Sequence, residues 1–176
     1  MLQDSEAKRV ALADEIRSIE EKIKITIDAS LLPSSGRGVL GWPLPRLMLT
    51  PCRTTFKQDA VTNCVTQYFG NTAFAAAGAY SGKGHNGVDF RADIGTPVFA
   101  VDGGAITATG DTDEGCRRAS YGKWILIHHP NNLSTLYTHL SAISVSAGSQ
   151  VSRGSTIGYS GMTGYATGPH LHFSVF

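Results

Sequence analysis

From Val61 onward the sequence breaks into short alternating or β-branched runs: VTQYF at 65–69, PVFAV at 97–101, AITAT at 105–109, KWILIHH at 123–129, STLYTHL at 134–140 and HLHFSV at 170–175. Turns containing glycine separate most of them. Runs this short suit strands and are too short for a helical bundle, so the pattern predicts a mainly β domain of sandwich or barrel type. The 20 glycines, accompanied by Thr, Ser and Val, point the same way. A chain of 176 residues accommodates one such domain plus an appendage, and no second large domain.

The appendage is N-terminal. Residues 5–24 are mostly strong helix formers, with Leu12, Ile16, Ile19 and Ile23 in one helical stripe of heptad rhythm. Two heptads are marginal alone, so residues 1–30 are expected to be a coiled-coil fragment, the alternative being one amphipathic helix packed on the domain. LLPSSGRG at 31–38 reads as a linker and GWPLP at 41–45 as the entry to something compact. The expected organisation is a helix over 1–30, a linker and entry segment over 31–60, and a β domain over 61–176.

Charged residues make up 16% and the formal net charge is +1, which leaves no electrostatic footprint for nucleic acid. No apolar run approaches the roughly 18 residues a bilayer requires, and MLQDSEAKRV lacks the apolar core of a signal peptide. Either the protein is cytoplasmic or the sequence is a fragment whose export signal lay upstream. The cysteines lean toward export. Cys52 and Cys64 could close a small loop, leaving Cys116 over, although three free thiols fit the sequence as well. No CxxC pair is present, which disfavours a structural zinc site.

The chemistry-bearing residues fall in three places. In HLHF, alternation along a strand sets His170 and His172 on one face and Leu171 on the other. Alone, such a pair more often describes a solvated strand face. In GHNGVDF at 84–90, the glycines let the backbone turn so that His85 and Asp89 converge. Two imidazoles and a carboxylate are good zinc ligands, and three protein ligands leave a fourth tetrahedral position for water, the mark of a catalytic site. In LYTHLS at 136–141, His139 sits in a strand-like run with Thr138 and Leu140 expected to point away from it.

GHNGVDF, LYTHLS and TGPHLHF, in that order, resemble the lysostaphin-like or LytM-domain zinc endopeptidases that cut peptide bonds in bacterial peptidoglycan. The likeness runs from Val61 to Phe176 and includes VTQYFG, GTPVFAVDGGAITATG, YGKWILIHH and VSRGSTIGYSGMTGYATG. It implies zinc held by His85, Asp89 and His172, with His139 and His170 as the catalytic, non-ligating pair. It further implies a compact antiparallel β-sheet or sandwich-like peptidase fold, peptidoglycan peptides as substrate, and an extracytoplasmic location. Strand alternation alone does not say which of His170 and His172 binds metal; the resemblance assigns His172.

HExxH is absent and no Glu lies in the shared motifs, so a histidine has to act as general base. Activity is accordingly expected to collapse below about pH 6, where imidazole takes up a proton. Ser174 stands where relatives commonly carry an acidic residue, and relatives usually continue for another strand or two. His128 and His129 are expected to be structural, with support of the site as the alternative. Tyr137 and Tyr159 read as core, Tyr80 lies near the motifs, and Tyr165 reads as a substrate-groove residue. The loop 111–120 is expected to wall the groove. A catalytically silent LytM-like regulator, carried on a coiled coil, that activates other cell-wall hydrolases is the alternative function, with a coiled-coil partner or another cell-wall hydrolase as the partner expected. A latent form, with residues 1–60 laid over the groove, is another.

Overall fold

The computed structural model describes residues 40–52, 63–78, 80, 84–118 and 120–176. The expected helix within 1–30 and most of the 31–60 segment lie outside the described residues, as does any masking of the groove by them. The strands are β1 (Leu47–Pro51), β2 (Asn63–Gln67), β3 (Val88–Arg91), β4 (Pro97–Phe99), β5 (Gly104–Asp111), β6 (Lys123–His128), β7 (Ser134–Ile143), β8 (Gln150–Val151), β9 (Thr156–Ser160) and β10 (His170–Val175). Helical structure among the described residues is slight: α1 (Ala73–Ala76), capped by the Thr72 hydroxyl, and a 3-10 turn at Thr112–Glu114.

One large sheet runs in the order β1-β2-β3-β10-β7-β6-β5-β8, with β9 bridging β4 and β7. All pairs are antiparallel except β1 with β2, which run parallel. The expectation of a mainly β fold holds, but the sheet is mixed where a wholly antiparallel one was expected. A disulfide between Cys52 and Cys64 fastens this edge, with Cα atoms 5.2 Å apart, and leaves Cys116 as a part-exposed thiol.

Alternation along the strands builds the core. On β6, Ile125 and Ile127 enter the main cluster with Val65, Phe90, Val98, Ile106, Tyr137, Ile157 and Leu171. The intervening Trp124 and Leu126 pack with Leu136 on the opposite face, so β6 is covered on both sides. Each fully buried side chain of this kind contributes about 1.5–3 kcal/mol. Leu44, only 2% exposed, joins the main cluster from the segment expected to be linker and entry. Tyr137 is core, as expected. Tyr159 is not: at 38% exposure it faces outward from β9, where Ile157 and Ser160 take the buried positions.

Two of the strands carrying the site were not legible as strands or as regular ones. β3 reads in sequence as a glycine turn, yet it pairs with β2 on one side and β10 on the other. β7 contains a bulge, for its register with β6 slips between Lys123 and Ile125, and His139 there takes φ of +60°. A bulge rotates the strand locally and redirects a side chain. Strict alternation would set His139 beside Tyr137 in the core; with the bulge, Leu140 takes the core place instead. Thr138 pairs directly with His172 and therefore shares its face, contrary to the expectation that it points away.

Candidate metal centre

The site lies on the sheet face opposite the main core and is built on one cross-strand row. Gln67 on β2 pairs with Asp89 on β3, Asp89 with His172 on β10, and His172 with Thr138 on β7. Paired residues in a sheet share a face, so the row brings a carboxylate and an imidazole together without any loop. Leu171 and Phe90, their chain neighbours, go to the core.

His85 arrives from outside the sheet and is held at three points. Its backbone exchanges two hydrogen bonds of 2.8 Å with Gly70, and its Nδ1–H donates to the Tyr68 carbonyl at 2.8 Å. The VTQYFG run thus serves as the seat of this histidine. Gly84 supplies the turn with φ of +79°, whereas Gly87 is required for space: a Cβ there would lie 2.5 Å from Ser174 Oγ and 2.7 Å from His172 Cε1.

Three atoms able to ligate one metal ion result. Asp89 Oδ1 is 2.9 Å from His172 Nδ1 and 3.1 Å from His85 Nε2, and the two nitrogens are 2.9 Å apart. Tetrahedral zinc with ligands at about 2.0–2.1 Å sets its ligand atoms about 3.3 Å apart, so this triangle matches one face of such a polyhedron within a few tenths of an ångström. The donor chemistry fits as well. With Nδ1–H given to Tyr68, a neutral His85 turns the lone pair of Nε2 toward carboxylate Oδ1, acceptor against acceptor, an arrangement that calls for a cation. All three residues are buried.

Charge coupling runs through the carboxylate. Burial works to raise the Asp89 carboxyl, but the adjoining imidazoles of His172 and His85, with His170 nearby, hold it well below the usual carboxylate range. Burial pushes His172 down against the pull of Asp89, while at His85 the same carboxylate outweighs burial and moves the imidazole up. His172 Nε2 meets Ser174 Oγ at 3.0 Å, so the residue that departs from the usual acidic type partners one of the three candidate ligands directly.

Two further imidazoles border the triangle. His170 Nε2 is 3.9 Å from Asp89 Oδ1, and its Nδ1–H donates to the Gly168 carbonyl at 2.8 Å. His139 donates Nδ1–H to the Thr163 carbonyl at 2.8 Å, and the two rings lie 4.5 Å apart. In both, the backbone acceptor fixes the tautomer and leaves Nε2 as a proton acceptor. Burial, with His170 and His172 adding to it, pushes His139 down to about 3, so it is neutral near neutrality.

Sequence reasoning did not identify the residues around these five. Gln67, Thr72 and Tyr80 lie behind Asp89 and His85; Thr163 clamps His139; Asn86 donates to the Tyr121 hydroxyl at 2.8 Å. VTQYFG, YGKWILIHH and VSRGSTIGYSGMTGYATG, which contain Gln67, Tyr121 and Thr163, carried a signal only as part of the resemblance; Asn86 lies within GHNGVDF, and Tyr80 was placed only near the motifs. Tyr165 is 56% exposed on the loop before β10 and near enough to Tyr80 to act on its phenol. That loop is joined to the 111–120 loop through Tyr165 N–H to the Ser120 carbonyl at 2.6 Å and Gly164 N–H to Asp113 Oδ2 at 3.0 Å. His129 is satisfied by the Gly103 carbonyl and Thr135 Oγ1, and His128 by Ser134 Oγ, which fits structural roles for both.

About half of the chain is similar to known proteins. The chain is 46% identical over 92 residues to the peptidoglycan DD-endopeptidase ShyA of Vibrio cholerae, a match covering 52% of this chain and 20% of that protein. It is 43% identical over 94 residues to the glycyl-glycine endopeptidase ALE-1 of Staphylococcus capitis, covering 53% and 25% respectively. The match thus spans about a fifth to a quarter of these relatives' length. Among solved structures, the catalytic domain of lysostaphin from Staphylococcus simulans superposes with a TM-score of 0.55 at 35% identity, covering 64% of this chain and 78% of that one. The family model described as peptidase family M23 matches residues 83–176, more than half of the chain and a stretch containing His85, Asp89, His139, His170 and His172. On that match the chain belongs to peptidase family M23.

Proposed function

We propose that this protein is a zinc-dependent endopeptidase that hydrolyses peptide bonds in peptidoglycan stem peptides or cross-bridges. The observation that carries the reading is the triangle of His85 Nε2, Asp89 Oδ1 and His172 Nδ1, with edges of 2.9–3.1 Å, bordered by two more imidazoles whose Nε2 atoms are uncommitted to backbone. His85, Asp89 and His172 would hold the ion. When bound, zinc lowers the pKa of a water toward about 7 and polarises a carbonyl.

The remaining work falls to this chain's own groups. His139 and His170 accept a proton at Nε2, return it to the leaving amine and donate to the developing oxyanion. The carbonyls of Thr163 and Gly168 keep both rings in the tautomer that can do so. Exposed Tyr165 supplies an aromatic wall for the peptide. The Cys52–Cys64 disulfide suits an oxidising compartment and supports an extracytoplasmic location. Residues 61–176 are proposed as the peptidase domain, with residues 1–30 as a coiled-coil element. A silent regulator is not favoured, because a binding module has no use for this convergent set of five groups.

The test is digestion of defined muropeptides with product masses, alongside zinc content. Relatives of similar identity are named for D,D-bonds and for glycyl-glycine bonds, so both cross-link types belong in the substrate panel. Bound zinc and cleavage of one type are expected; His139→Ala should keep the zinc and lose about a hundred-fold or more in rate. Normal turnover in that variant would overturn the assignment.

A further inference from the structure

The two carboxylate oxygens of Asp89 have different surroundings. Oδ1 faces the imidazoles, while Oδ2 receives the Gln67 Nε2 amide at 3.3 Å. Gln67 reaches it because β2 is bulged: the register with β3 slips between Val65 and Gln67, so that Gln67, not Thr66, opposes Asp89. Without the slip Thr66 would face Asp89 and Gln67 would turn to the core side. Thr66 instead donates its hydroxyl to the Asp89 backbone carbonyl at 3.1 Å.

The orientation of the amide follows from its neighbours. An ionised carboxylate only accepts, so the atom facing Oδ2 is the NH2 group. The other end agrees: Oε1 accepts from the Thr72 hydroxyl at 3.2 Å, and Nε2 gives its second hydrogen to the Tyr80 hydroxyl at 2.5 Å. Tyr80 in turn stacks on His85, with ring centroids 5.2 Å apart and planes 25° apart. One amide therefore links the supports of two of the three ligand residues. Gln67, Thr72 and Tyr80 all lie upstream of the residues 83–176 matched by the family model.

We propose that Gln67 is a positioning residue for the metal centre: by holding Oδ2 it makes Asp89 a ligand through Oδ1 alone. The inference rests on the metal reading above and adds what keeps that site open. A carboxylate free to swing would offer both oxygens and fill a position needed by water and substrate. The role is one of orientation, since Gln67 itself carries no charge.

The experiment compares the wild type with Gln67→Met, which keeps the bulk and removes the donor, and with Gln67→Glu, which turns an acceptor toward Oδ2. Zinc affinity is read by chelator competition, coordination by the visible spectrum of the cobalt(II)-loaded protein, and folding by thermal unfolding without metal. Gln67→Met should unfold near the wild-type temperature, bind zinc about ten- to a hundred-fold more weakly, and give the weaker absorption of a higher-coordinate cobalt site. Gln67→Glu should lose more affinity than Gln67→Met, and it decides the matter if Gln67→Met does not fold. Affinity within three-fold of wild type in either folded variant, with an unchanged cobalt spectrum, would overturn the role of Gln67. Failure of the wild type to bind zinc at all would instead overturn the metal reading, which keeps the two failures distinct.

Discussion

His139 reaches the site because its backbone adopts a left-handed conformation, and the stability of two variants tests this directly. At φ of +60° a Cβ crowds the backbone, which costs an L-residue about 1–2 kcal/mol and glycine nothing. His139→Ala retains that strain and His139→Gly releases it. Against this, glycine loses more chain entropy on folding, about 0.5–1 kcal/mol relative to alanine. The net expectation is that His139→Gly is the more stable by about 0.5–1 kcal/mol. At an ordinary strand position the order reverses, with alanine ahead by a similar amount. Both variants empty the same buried volume, so cavity costs largely cancel in the comparison. Urea unfolding of the two metal-free variants under identical conditions measures the difference, which corresponds to roughly 1–4 °C in melting temperature for a domain of this size. If His139→Ala proved the more stable, residue 139 would lie in regular β conformation, and the bulge that delivers its ring to the site would be refuted.

Two further outcomes follow from the same geometry. Gly87→Ala should destabilise the protein by about 1–3 kcal/mol and weaken metal binding, because its Cβ would fall 2.6 Å from the Phe173 carbonyl and press on His172; chemical denaturation and zinc titration check both. Acid should weaken the metal-free fold through His139: the unfolded chain takes up this proton below about 6.5, whereas burial delays it to about 3 in the folded state, so stability falls as pH drops through that window. His139→Asn, which tolerates positive φ and does not titrate, should lose less on going from pH 7 to 4.5; an equal loss, read from urea midpoints, would assign the acid sensitivity elsewhere.

Much of the site was legible because its information is local. His170 and His172 share a face since alternation follows from strand geometry, and Leu171 fills the core for the same reason. The glycines of GHNGVDF announced a backbone constraint, although at Gly87 the constraint is the nearness of His172 and not a turn. Thr138 and Tyr159 were misread because period-2 reasoning assumes an unbroken ladder and a covered strand. In fact β7 is bulged and Tyr159 faces outward. The parallel pairing of β1 with β2 depends on strand neighbours that no local run specifies.

Residue type and spacing by themselves pointed to a mainly β domain and set His170 and His172 on one strand face, whereas the full set of five polar groups came from the family resemblance that the motifs carry. Tertiary structure alone decided which nitrogen of each imidazole faces inward, that His139 turns away from the core, and that Gln67, Thr72 and Tyr80 stand behind Asp89 and His85. The reason is one of range. Side-chain alternation is dictated within a few residues, whereas a bulge and a supporting hydrogen bond exist only once strands such as β2 and β3, or residues as distant as His85 and His172, have been brought into register.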